Sequence, residues 1–85
     1  MALSESEAKV LGALSALGSL ETLTVRQICH ATKLTETTIH RALLRLSRTG
    51  LVVSAPHGPT RWRQTDRGRV AIHQPRYREF VGVQP

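Results

Sequence analysis

The sequence predicts a single small α+β domain, mainly helical, and three observations carry that prediction. Three stretches place apolar residues at helical spacing, each opened by a serine or threonine able to cap it. The run Leu51 to Val53 is followed, across a proline- and glycine-containing turn, by an alternating run from Arg61 to Thr65. Finally, 85 residues leave room for one modest core.

Taken in order, Ser4 and Glu7 have the spacing of a capping box. Val10, Leu11, Leu14 and Leu17 form a stripe, and Gly18 stands where a C-terminal cap belongs, so a first helix is predicted from about Glu5 to Leu17. Ser19 to Leu23 link onward, with Leu20 and Leu23 available to pack or to form a brief strand. Thr24 caps a second helix over Val25 to Thr32, with Val25, Ile28 and Cys29 inward. Lys33 and Leu34 make a tight connection, and Thr35 caps a third helix that runs to about Arg48, ahead of Gly50. Leu51 to Val53 reads as a strand, "SAPHGPT" (54–60) as a turn, and "RWRQT" (61–65) as a second strand with Trp62 inward and Arg61 and Arg63 outward. Asp66, after Thr65, opens a short last helix to His73 that Pro75 stops. Helix, helix, tight turn, helix and hairpin are the order of a winged helix-turn-helix: a three-helix core, a β-hairpin wing and a short C-terminal helix. The domain is accordingly drawn over residues 1–73, leaving 74–85 as a tail that either dimerises or is flexible.

Composition narrows the function classes. The net charge is +6, and its distribution says more than its size. Residues 1–24 hold Glu5, Glu7 and Glu21 against Lys9, a net of −2, whereas residues 25–85 hold ten arginines and Lys33 against Glu36, Asp66 and Glu79, a net of +8. A polyanion is the partner such segregation fits. The single Cys29 excludes an internal disulfide framework and a four-cysteine zinc site. His30, His40, His57 and His73 lack metal-ligand spacing with one another or with Cys29, so neither metal nor cofactor is expected. The longest apolar run, Val10 to Leu17, is too short for a membrane span, and a cytoplasmic, nucleoid-associated protein is expected. Phosphate-binding glycine loops, zinc-protease spacing and nucleophile elbows are absent from the sequence, and Glu5 and Glu7 point in different directions on one helix, so an enzyme is not expected.

The stretch "TVRQICHATKLTETTIHRALLRLSRTGLV" (24–52) resembles, without a gap, the helix-turn-helix core of bacterial regulators of the MarR and IclR families. Within it "ATKLTETTIHRAL" is similar to their A-T-G-L-x-x-S-T-V-x-R-x-L pattern, and "RWRQTDRGR" (61–69) is similar to the wing strand and following segment of MarR-type proteins. The resemblance implies a small bacterial transcriptional regulator, repressor-like, that binds double-stranded DNA as a homodimer. Two departures stand out. Lys33 occupies a turn position that those families give to glycine, which demands a different turn or a left-handed residue, and Leu44 replaces a polar residue. The chain has no room for the separate effector domain of IclR proteins, and a small-molecule effector is not indicated.

In a helix-turn-helix the second helix enters the major groove with its first turns toward the base edges. The outward residues there are Thr35, Glu36, Thr37, Thr38, His40 and Arg41. Arginine can take guanine O6 and N7 with two hydrogen bonds, threonine a phosphate or a thymine methyl, and glutamate the N4 amine of cytosine. Arg45, one turn deeper, is better placed for phosphate. Arg61, Arg63 and His57 at the wing address the backbone or the minor groove, with Trp62 as a core anchor. The bland alternative is a solvated basic helix. Two further readings stay open: a plasmid, phage or chromosome-maintenance module with the same chemistry, and a protein-interaction winged helix docking through Leu44, Tyr77, Phe80 and Val81. The dimer interface falls either on the first helix or on the tail with Tyr77 and Phe80.

Overall fold

A computed structural model describes residues 2–16, 22–55 and 60–80. Helix α1 spans Glu5–Ser15, strand β1 Leu23–Thr24, helix α2 Val25–Thr32, helix α3 Glu36–Arg48, strand β2 Val52–Ser54, strand β3 Arg61–Gln64 and helix α4 Asp66–Ile72. A 3-10 segment, Pro75–Phe80, follows, kinked at Tyr77.

Side chains supply the backbone acceptors that each helix start needs. Ser4 Oγ accepts the Glu7 N–H at 3.2 Å while the Glu7 carboxylate accepts the Ser4 N–H at 2.9 Å, and Thr24 and Gln27 repeat the exchange at the same two distances. Thr35 Oγ1 accepts from Thr38 N–H, and Thr65 Oγ1 from Gly68 N–H. A cap of this kind contributes about 1 kcal/mol relative to alanine.

The helices converge on one core. Val10, Leu11 and Leu14 of α1, Ile28 of α2, and Ile39, Leu43 and Leu46 of α3 are fully buried, joined by Val52 and Ile72. The sheet is antiparallel in the order β1–β3–β2, with Leu23 opposite Trp62 and Val52 opposite Gln64. The predicted two-stranded wing thus gains a third strand from the residues just before α2. Leu23, half-buried, packs against the core from it.

Several boundaries differ from expectation for local reasons. Helix α1 closes at Ser15 with Ala16 as its right-handed cap; Leu17, the expected cap Gly18, and Leu20 lie outside the described residues. Strand β2 begins at Val52 rather than Leu51 because the Leu51 N–H is taken by Leu46 O at 2.8 Å and its carbonyl by Thr65 N–H at 3.0 Å. Thr65 and His73 are caps of α4 rather than members of strand or helix. Pro75, expected only to stop α4, opens the 3-10 segment. That segment also corrects the reading of Tyr77 as a residue beyond the core. Tyr77 is buried, its hydroxyl accepts the Leu3 N–H at 2.7 Å, and Phe80 packs beside it, so the described part of the expected tail is packed against α1.

Lys33 adopts the left-handed alternative, with φ 64° and ψ 21°, its N–H bonded to Cys29 O at 2.8 Å. A side chain in this region costs about 1 kcal/mol relative to glycine. Lys33→Gly is therefore expected to raise unfolding stability by about 0.5–1 kcal/mol, read as a higher urea midpoint at unchanged slope. Lower stability would mean that Lys33 makes a compensating contact.

Candidate nucleic-acid interface

Helix α3 presents two opposed faces. Ile39, Ala42, Leu43 and Leu46 face the core, and Thr37, Arg41, Leu44 and Arg48, spaced by four, three and four residues, form the exposed line opposite. His40 and Ser47 flank the line on one side and Arg45 on the other. The amphipathic pattern explains the helix; the pull of the core on four residues sends the arginines outward.

The predicted contact residues do not all stand alike. Thr37, His40 and Arg41 are exposed on the first two turns of α3. Thr35 and Thr38 are engaged with each other: Thr35 Oγ1 caps Thr38 N–H and donates to Thr38 Oγ1 at 2.9 Å. Glu36 stands in the first turn, where a helix end favours an acid, and lines a groove with Arg26, Cys29 and His30 of α2 and with Lys33 of the turn. Arg45, expected at phosphate, is exposed and has its Nε 3.1 Å from Glu7 Oε2 at the start of α1. Arg61 and Arg63 project from β3 while Trp62 between them is half-buried against the core, its indole N–H buried without a hydrogen-bond partner among the described residues. His57 lies outside the described residues.

Two features escaped the sequence reading. Arg48 continues the outward line one turn beyond Leu44, and its spacing of eleven from Thr37 was the available signal. The N-terminal end of α1 also borders the interface: Ser4, Ser6 and Glu7 share a groove of about 350 Å³ with Thr38, Arg41 and Arg45. Nothing local to residues 4–7 pointed there. Leu44 is 52% exposed in the centre of the line, outside the core cluster of the described residues. Among the described residues, no three histidine, cysteine or acidic side chains gather as a metal site.

A helix pair joined by three residues, with the second helix turned outward by its basic line and a β-hairpin following it, defines a winged helix-turn-helix module. The family model of the MarR family matches residues 3–61, and the chain belongs to that family. No curated protein matches its sequence. Among solved structures it is similar to BpsR of Bordetella bronchiseptica, at 21% identity and a TM-score of 0.77, covering 98% of this chain and 65% of that one. It is similar to ZitR of Lactococcus lactis at 21% identity and a TM-score of 0.74, covering 91% and 53%. A MarR family transcriptional regulator of Silicibacter pomeroyi follows at 22% and 0.66, covering 76% and 46%. The chain thus spans about half to two thirds of the length of these relatives in structure. For BpsR, DNA binding is regulated by 6-hydroxynicotinic acid.

Proposed function

We propose that the chain is the DNA-binding module of a transcriptional regulator, reading the major groove with α3 and holding the flanking backbone or minor groove with the wing. The observation that carries this reading is the outward line of α3, where Thr37, Arg41 and Arg48 stand exposed and Glu36 is the helix's one acid. A solvated surface helix gains by mixing both signs; a helix whose partner supplies phosphates does not need to. In this reading Thr37, His40 and Arg41 meet base edges, Glu36 accepts from cytosine, and Thr35 and Thr38 fix the first turn. Arg48, Arg61 and Arg63, together with His57, hold phosphates. The active form is a homodimer, which doubles the site and gives a two-fold symmetric target.

The alternative of a protein-docking winged helix fits less well. Tyr77, one of its expected contacts, is spent in the core, Val81 lies outside the described residues, and Leu44 is a small apolar patch on a basic helix face. Among the described residues no helix is long and apolar enough to cross a membrane.

The test is retention of sheared genomic DNA at rising salt, followed by titration of the best-retained fragment beside a scrambled duplex. About five phosphate contacts predict a log–log salt slope near −4.5, with the specific fragment surviving salt that strips the scrambled one. Absence of retention at moderate salt sinks the proposal.

A further inference from the structure

Glu7 is the buried charged residue of the described core, and it lies against α3. Its side chain is 7% exposed, with Oε1 accepting the Ser4 N–H at 2.9 Å and Oε2 standing 3.1 Å from Nε of Arg45, whose own side chain is 63% exposed. The guanidinium, the cap N–H and the N-terminal end of α1 together offset the cost of burying the carboxylate. The pair at the exposed edge of α1, Glu5 with Lys9 at 3.2 Å, is a surface contact of a different kind, with Glu5 73% exposed.

Arg45 thus carries a counter-charge directly behind it. A backbone phosphate approaching the exposed side of the guanidinium feels the arginine's attraction reduced by a carboxylate only one contact farther away, and burial of that carboxylate weakens the screening that water would otherwise provide. We propose that Glu7 is a positioning residue for the interface: it fixes Arg45 by its Nε and withholds part of its charge from the DNA backbone, so that Arg45 orients the complex while Arg41 and Arg48 supply the uncompensated charge of α3. This rests on the DNA-binding reading above. Its consequence is a built-in limit on non-specific affinity, set by residue 7 rather than by the recognition helix itself.

The test titrates one duplex across rising salt with the full chain and three variants: Glu7→Gln, Glu5→Gln, and Glu7→Gln combined with Arg45→Gln. Glutamine is the other residue that completes a capping box, so Glu7→Gln keeps the cap while removing the charge. Expected for Glu7→Gln is binding roughly three- to tenfold tighter at low salt and a slope steeper by about 0.9, one further phosphate neutralised. Glu5→Gln makes the same change in net charge and is expected to do much less. Adding Arg45→Gln removes the gain, which assigns it to the pair rather than to the cap. Should Glu7→Gln fail to fold in a circular dichroism melt, Glu7→Met keeps the packed stem without the charge and carries the same expected slope; failure of both to fold overturns the proposal, since the fold then accounts for the carboxylate. An unchanged slope, or a gain that persists without Arg45, also overturns it while leaving DNA binding intact. A wild-type chain that binds no duplex overturns the DNA-binding reading itself.

Discussion

Gly68→Ala is expected to destabilise the domain by about 2–3 kcal/mol, lowering the melting temperature by roughly 10–20 °C, although alanine is the better helix former. Gly68 lies in the first turn of α4, where the propensity gain is at most about 1 kcal/mol. Against it stands a contact that admits no side chain. A Cβ at residue 68 would meet the Leu51 carbonyl oxygen at 2.1 Å and Leu11 Cδ1 at 3.3 Å. The carbonyl cannot retreat cheaply. It accepts the Thr65 N–H at 3.0 Å, and Thr65 Oγ1 donates to Gly50 O at 2.6 Å while accepting the Gly68 N–H at 3.1 Å. Gly50 itself holds φ 78°, so the turn before β2 is set by a residue that alanine could not replace without strain. Moving Leu51 therefore breaks the cap of α4 and the turn together. A total stability of about 5–10 kcal/mol, usual for a domain this size, makes the loss conspicuous in a thermal or urea melt. A variant as stable as the parent would show that α4 can slide outward, and hence that its docking on the turn is loose.

That clash also shows where sequence reasoning ends. Three helix starts were legible because each depends on residues within three positions of one another: Ser4 with Glu7, and Thr24 and Thr35 with the N–H groups three residues on; Thr65, read as the end of a strand, caps α4 in the same way. The inward residues of α3 were legible from their spacing, and Trp62 between two outward arginines from the alternation of β3. What could not be read were contacts between residues far apart in the chain. "RGR" reveals a glycine but not the Leu51 carbonyl pressed against it. Tyr77 reads as a tail aromatic until its hydroxyl is found on the Leu3 N–H, 74 residues away. Lys33 was recognisable as a departure from a glycine turn; that it takes the left-handed escape is seen only in its backbone angles.

The interface follows the same division. Thr37, His40 and Arg41 stand outward as the helical period requires, because nothing but their own helix positions them. Arg45 shares that period and still differs, because a carboxylate from α1 reaches it. Two arginines four residues apart on one helix thus hold different electrostatic positions, and a charge count over the sequence treats them as equal.

Arg41→Ala turns that distinction into the largest expected effect on binding. Arg41 is exposed on the outward line, so its removal should leave the melt within about 0.5 kcal/mol of the parent. A bidentate arginine contact to guanine discriminates by about 1–3 kcal/mol, so the variant should lose roughly 5- to 150-fold in affinity for its best duplex and relax its preference at one base position in each half-site. Arg41→Lys keeps the charge without the planar fork and should recover the salt slope but not the base preference. Arg48→Ala, from farther along the helix, should weaken all duplexes alike and flatten the slope by about 0.9. Selection of bound sequences from a randomised pool by the parent and each variant separates the cases. Uniform loss with Arg41→Ala and no change in the selected site would move Arg41 to the backbone. Base reading would then fall to Thr37, His40 and Glu36, the remaining exposed polar residues of the first turns of α3.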